Sequence, residues 1–117
     1  MITLFGIKNC DTVKKARRWL ADNDIQYAFH DVRADGLQLE KIAEWIAKTD
    51  WEIVLNRRGT TWRKLDASLQ ENTSENSVAE LLLANPAMIK RPILDVNGVI
   101  SIGFKPQLYH SIFNSIK

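Results

Sequence analysis

The chain contains one cysteine, Cys10, and this thiol is the side chain best suited to nucleophilic or redox chemistry. It follows a short apolar run at residues 2–5 and precedes an amphipathic stretch, so a strand should give way to a helix there. Unpaired backbone N–H groups and the helix dipole stabilise an anion such as a thiolate at this position. Cysteine is also among the most buried residue types, so a structural role is equally consistent with the position.

The single thiol restricts the redox chemistry that is possible. Val13 occupies the place of the second thiol of a Cys-x-x-Cys motif, so an external thiol must resolve an oxidised Cys10. Glutathione is the obvious cytosolic candidate. A cysteine-rich zinc site needs several thiolates, and the two histidines, His30 and His110, do not have a metal-ligand spacing. We therefore expect no bound metal or cofactor.

Basic side chains form a second group with chemical potential. Four of them fall within eight positions, around a glycine and two threonines: Arg57, Arg58, Arg63 and Lys64. Guanidinium groups and free backbone amides suit an oxyanion or a carboxylate, whereas a solvated surface loop is the alternative for such a charge run. Arg91-Pro92 stands before a later strand, where a proline is accommodated at the strand start or in a cis peptide.

The first 32 residues predict a strand, a helix and a second strand, with the strands at 2–5 and 25–32. The apolar positions of the helix lie at helical spacing: Val13, Ala16 and Leu20. Its basic residues, Arg17 among them, fall on the solvent side, and Asn9 or Asp11 is the candidate cap. A crossover of this length predicts that the two strands are parallel.

Later segments predict helices and then a hairpin. Helices are expected after Gly36, at residues 74–84 and from Pro106 onward, with a short apolar piece at 51–55 and a polar loop at 56–64. The apolar stripe of the last helix is Tyr109, Ile112, Phe113 and Ile116. Asn97-Gly98 between two apolar runs predicts a hairpin, because both turn positions need positive φ. The order β-α-β, helices, β-β-α predicts an α/β fold with one mixed sheet.

Composition restricts the function further. The 117 residues are 45% hydrophobic and 26% charged, which is typical of one soluble domain. A net charge of +2 is too small to indicate nucleic-acid binding. No apolar run approaches the roughly 20 residues that span a bilayer, and the N-terminal residues lack a signal-peptide pattern. We therefore expect a cytoplasmic monomer with no nucleic-acid or membrane partner.

Together these residues resemble the ArsC-like family of thioredoxin-like proteins, which contains arsenate reductases and Spx regulators, and within it the YffB-type group. Four segments carry the resemblance in order, at residues 6–12, 14–20, 58–65 and 89–92, so it covers essentially the full length. The resemblance implies a single thioredoxin-like domain with a helical insertion at roughly 36–85. It also implies that Cys10 is the redox cysteine and that Pro92 is a cis-proline facing it.

In arsenate reductases of this family the cysteine attacks arsenate, three arginines hold the oxyanion, and glutathione and glutaredoxin complete the reduction. Arg91 matches one of these arginines. The second is displaced, because its position holds Asn56, and Arg57 and Arg58 follow immediately. The third is absent, because its position holds Gly103, with Lys105 two residues on. The resemblance therefore implies a monothiol, glutathione-dependent thiol or oxyanion reductase with Cys10 as nucleophile, for which arsenate itself is not the expected substrate. The predicted anion-binding residues are Lys8, Asn9, Arg57, Arg58 and Arg91.

Spx-type relatives suggest an alternative function. They are regulators that bind RNA polymerase, and they typically carry Cys-x-x-Cys as a redox switch, a pattern from which Val13 departs. A transcriptional regulator that binds RNA polymerase without catalysis is therefore the second hypothesis. An anion-binding module with an inert cysteine is the third.

Overall fold

The computed structural model describes residues 1–115. Two compact units make up the chain. The first, here called the sheet unit, is Met1–Asp31 together with the chain from Arg91 onward. The second, here called the inserted unit, is Val32–Lys90, and it contains the residues for which the resemblance implies a helical insertion. No helix among the described residues is long and apolar enough to cross a membrane.

Four strands and seven α-helices make up the described part of the chain. In chain order they are β1 (Ile2–Gly6), α1 (Asp11–Asp22), β2 (Ala28–Asp31), α2 (Leu39–Lys48), α3 (Trp51–Val54), α4 (Thr60–Arg63), α5 (Ala67–Glu71), α6 (Val78–Ala84), a 3₁₀ turn (Pro86–Met88), β3 (Ile93–Val96), β4 (Val99–Ile102) and α7 (Pro106–Ser115). This order confirms the predicted arrangement of β-α-β, helices and β-β-α.

The four strands form one mixed sheet in the order β2-β1-β3-β4. β1 and β2 are parallel, as the crossover predicted, with Gly6 opposite Asp31. β1 and β3 are antiparallel, with Phe5 opposite Ile93, and β3 and β4 form an antiparallel hairpin. The hairpin prediction is confirmed in detail, because Asn97 and Gly98 both have positive φ, at 52° and 93°.

The core of the sheet unit lies between one face of the sheet and the helices α1 and α7. Its buried residues come from β1, α1, β3 and α7: Leu4, Ala16, Leu20, Leu94, Val96, Tyr109 and Phe113. Trp19 adds an edge contact to the Tyr109 ring and a stacked contact to the Phe113 ring, with centroids 5.6 and 5.8 Å away. Ile116 of the predicted stripe lies outside the described residues.

The second strand is shorter than predicted, because the first residues of the predicted strand form the C-terminal cap of α1. Asp24 has φ 56°, its amide donates to Ala21 O, and the Ile25 amide donates to Leu20 O, which together form a Schellman cap. Ile25 therefore belongs to the helix end, and β2 begins only at Ala28.

Arg17 does not lie on the solvent side as predicted. Its Nε donates to the Tyr27 hydroxyl at 3.0 Å, and its guanidinium group lies 4.3 Å from the centre of the Phe29 ring. Helical spacing placed Arg17 away from the apolar stripe, but the long side chain reaches the neighbouring segment and covers apolar surface there.

Two helices and one helix boundary in the inserted unit also differ from the prediction. The polar loop at 56–64 contains α4, and α5 was not predicted. The helix expected from residue 74 begins at Val78, because the Ser74 amide donates to the Ser77 hydroxyl at 3.0 Å and residues 75–77 form a turn. Serine side chains compete with the helix for backbone groups in this way.

Candidate functional site

Cys10 is the N-cap residue of α1, with φ −97° and ψ 125°. Its amide donates to Ile7 O at 3.2 Å and closes a turn, while its carbonyl accepts from the Lys14 amide at 2.9 Å. The side chain is half-buried and makes no capping hydrogen bond, so the helix does not use the thiol. The prediction that Asn9 or Asp11 caps the helix is therefore wrong, since Asp11 is the first helical residue.

Gly6 allows α1 to pack closely against the end of β1. A Cβ atom added at Gly6 would lie 2.8 Å from Val13 Cγ2 and 3.1 Å from Val13 Cγ1, and Val13 is fully buried. Only a glycine accommodates this approach without movement of the Val13 side chain or of the helix. The contact therefore fixes where the first turn of α1, and Cys10 with it, stands above the sheet.

Arg91 and Pro92 lie at the same edge of the sheet as the Cys10 turn. β1 ends at this edge and β3 begins there, because the two strands are antiparallel neighbours. The Arg91–Pro92 peptide bond is cis, Arg91 is half-buried and Pro92 is buried. Lys8 and Asn9, both exposed, belong to the Cys10 turn itself. Four of the predicted site residues thus share one edge with the thiol.

Gly103 explains one departure from the arginine pattern of arsenate reductases. This glycine has φ 82°, is buried, and donates its amide to Pro92 O at 2.8 Å. A residue with a side chain is strained at such a φ. The backbone beside Pro92 is therefore built in a way that disfavours an arginine at this position.

Arg57 and Arg58 belong to the inserted unit. Leu55 forms a β-bridge with Ile89, and the arginines follow it after Asn56. Both are exposed; the Arg57 guanidinium lies 3.5 Å from a Glu52 carboxylate oxygen and 5.4 Å from the centre of the Trp51 ring. The Arg58 amide donates to the Asn56 side chain at 3.1 Å. Their anion-binding role stays a prediction.

Asp31 is a site residue that sequence analysis missed. It is the last residue of β2, is only 4% exposed, and accepts a hydrogen bond from the Lys8 amide at 3.3 Å. A carboxyl group at the end of a strand parallel to β1 was a usable signal, since sites in α/β sheets form at the carboxyl ends of parallel strands. No group of His, Cys, Asp and Glu side chains within residues 1–115 is arranged to hold a metal ion.

Known proteins resemble this chain over nearly its full length. The solved structure of a YffB protein is 47% identical and covers 95% of this chain and 97% of its own, with a TM-score of 0.91. An arsenate reductase (ArsC) related protein from Brucella melitensis is also 47% identical, covering 96% of this chain and 93% of its own, with a TM-score of 0.78. The global transcriptional regulator Spx of Listeria innocua is 28% identical over 106 residues, 89% of this chain and 80% of its own.

These similarities confirm the thioredoxin-like mixed sheet that the resemblance implied. The model of the ArsC family matches residues 5–112, from the end of β1 through most of α7. That span includes the Cys10 turn, Asp31 and the Arg91–Pro92 segment. The chain belongs to the ArsC family.

Proposed function

We propose that this protein is a cytoplasmic, monothiol reductase that depends on glutathione and uses Cys10 as its nucleophile. The observation that carries the proposal is the geometry of the thiol: Cys10 is the only cysteine, it is the N-cap residue of α1, and its side chain makes no capping bond. Backbone N–H groups of the first helical turn lack intrahelical partners, so they favour an anion at this place. A thiolate is the form of cysteine that attacks.

The proposed reaction reduces a mixed disulfide in two exchanges. The Cys10 thiolate attacks the glutathione sulfur, so that a Cys10–glutathione disulfide forms and the substrate leaves as a thiolate, which takes a proton from solvent. A second glutathione thiolate then attacks this disulfide, releasing oxidised glutathione and restoring Cys10. The cycle needs one protein thiol only, in agreement with Val13 in place of a second cysteine. Glutaredoxin is an alternative protein donor for the second exchange.

The charges near the thiol support an anionic co-substrate. Lys8 belongs to the same turn as the thiol, Arg91 lies at the same edge of the sheet, and Asn9 offers an exposed amide side chain. Glutathione carries carboxylates that such donors bind through charge-assisted hydrogen bonds. Arsenate is the less favoured substrate in this proposal, because Gly103 stands where arsenate reductases carry an arginine and its φ of 82° disfavours a side chain.

The proposal is tested by comparing two substrates under identical conditions. Glutathione-dependent turnover should be measured on a glutathionylated peptide and on arsenate, with Cys10→Ser as the inactive control. We expect turnover of the disulfide, a larger rate than with arsenate, and none for Cys10→Ser. Disulfide turnover that survives Cys10→Ser would show that another group does the chemistry.

The similarity to Spx of Listeria innocua favours a second candidate, a regulator that binds RNA polymerase. Such a regulator should bind a polymerase subunit whether or not Cys10 is present. Recovery of polymerase with both the wild-type protein and Cys10→Ser, together with no thiol turnover, would favour this candidate. Turnover without polymerase binding would favour the reductase.

A further inference from the structure

Asp31 is a buried acidic residue that the proposed disulfide exchange does not use. It is 4% exposed, and it lies opposite Gly6 in the parallel ladder of β1 and β2. Removing a carboxyl group from water costs free energy unless hydrogen bonds compensate. Its position at the end of β2 therefore calls for a specific role of its oxygens.

One of these oxygens holds the turn that carries the thiol. The Lys8 amide donates to Asp31 Oδ2 at 3.3 Å. Lys8 is the second residue of the turn that is closed by the hydrogen bond from Cys10 N to Ile7 O. Because Asp31 belongs to β2, the strand beside β1, this bond ties the turn that leads into α1 to the neighbouring strand.

We propose that Asp31 is a positioning residue for Cys10. Its carboxyl group fixes the Lys8 amide and, through the short turn, the direction in which the thiol faces a substrate. The inference rests on the proposed reductase function for the reaction it serves, and its experiment has a readout that does not need that reaction. Misplacement of a reacting group by about 1 Å lowers a rate by as much as about a hundredfold, so a modest displacement is measurable.

A pair of variants isolates the acceptor oxygen. Asp31→Asn and Asp31→Leu both remove the ionisable group and have similar size, but only asparagine retains an oxygen for the Lys8 amide. We expect Asp31→Leu to react about tenfold more slowly than Asp31→Asn in two measurements, alkylation of native Cys10 by iodoacetamide and glutathione-dependent turnover. In turnover the loss should appear in kcat/KM, because the turn carries the thiol together with the side chains of Lys8 and Asn9.

A second pair of variants isolates the donor, the Lys8 amide, and can be used even if Asp31→Leu does not fold. Lys8→Pro removes the N–H group, at a turn position where proline is favoured, whereas Lys8→Ala removes the same charge and retains the N–H group. We expect Lys8→Pro to be alkylated about tenfold more slowly than Lys8→Ala, the same ratio as that expected between Asp31→Leu and Asp31→Asn.

Asp95→Ala is the matched control. Asp95 Oδ1 accepts a hydrogen bond from the Gly98 amide at 2.7 Å, in the hairpin turn at the opposite edge of the sheet. This variant loses the same kind of bond and should leave alkylation and turnover of the folded protein unchanged. Equal rates within both variant pairs would overturn the positioning role. If the wild-type protein turns over no disulfide but the two variants of each pair differ in alkylation rate, the reductase proposal fails and the positioning role stands.

Discussion

Tyr109 offers a sharp test of how burial determines stability in the sheet unit. Its side chain is fully buried, and its ring makes edge contacts with Phe104 and Trp19 at centroid distances of 4.7 and 5.6 Å. Its hydroxyl has no hydrogen-bond partner among the described residues. The substitution Tyr109→Phe keeps the ring contacts and removes only this oxygen.

The expected effect of Tyr109→Phe is stabilisation. An unpaired buried hydroxyl costs about 1–3 kcal/mol relative to its state in water. Taking the lower end, we expect the free energy of unfolding to rise by about 1 kcal/mol, which raises the urea midpoint by about 0.3–1 M for a domain of this size. Equilibrium urea denaturation followed by circular dichroism measures this shift.

Tyr27→Phe is the control, because Tyr27 is the other tyrosine of the chain and, unlike the buried Tyr109, it is half-buried and its hydroxyl has a hydrogen-bond partner. The Tyr27 hydroxyl accepts a hydrogen bond from Arg17 Nε at 3.0 Å. Its removal should lower the free energy of unfolding by about 0.5–1.5 kcal/mol, so the two variants have opposite signs. If Tyr109→Phe lowers the midpoint as much as Tyr27→Phe does, the Tyr109 hydroxyl is satisfied in solution and the reasoning is wrong.

Stability at alkaline pH gives a second test of the buried Tyr109 hydroxyl. Burial raises the pKa of the Tyr109 phenol above its ordinary value of 10.0. The folded state therefore holds a proton that the unfolded state releases, so stability is fully present below pH 10 and falls above it. The loss is about 1.4 kcal/mol per pH unit for one such group. Tyr109→Phe should lose less stability than the wild-type protein between pH 10 and 11, and an equal loss would contradict the assignment.

Three further predictions concern the edge that carries Cys10 and the hairpin. Arg91→Ala should lower glutathione-dependent turnover by about ten- to a hundredfold, from loss of a charge-assisted hydrogen bond of about 1.5–3 kcal/mol, and Arg91→Lys should recover part of it. Arg18→Ala, an exposed residue of α1, is the control, and an equal loss there would indicate bulk charge. Gly6→Ala should lower the free energy of unfolding by about 1–3 kcal/mol in urea titrations, because the new Cβ meets Val13. An unchanged midpoint would show that this contact does not fix the position of α1. Gly98→Ala should cost about 1 kcal/mol or more, because its φ of 93° is unfavourable for alanine, and a stabilised variant would exclude the positive φ.

Local sequence was sufficient where the structure depends on neighbours along the chain. Asn97-Gly98 predicts its hairpin because positive φ is a property of those two residues, and Pro106 begins α7 because its φ is fixed in advance. The strand–helix–strand start predicts parallel pairing through the length of its crossover. The thioredoxin-like fold and the ArsC family followed from motifs spread over the chain.

Details that depend on distant segments were missed. Asn9 and Asp11 are favourable capping types, yet Cys10 is the N-cap, because the turn from Ile7 and the packing of Gly6 against Val13 set where α1 begins. Arg17 was assigned to solvent from helical spacing, but its partner Tyr27 lies in the connection to β2.

The sequence by itself determined that one thiol stands between a strand and a helix, and that no second cysteine of this chain can resolve it. The resemblance implied that Pro92 faces this thiol, but only the tertiary structure placed Asp31 beside the turn that carries it. The pairing of β1 with β3 brings Arg91 and Pro92 to the edge that carries Cys10, and the pairing of β1 with β2 brings Asp31. Strand register is set by contacts between segments far apart in the chain, so no local pattern around Cys10 contains it.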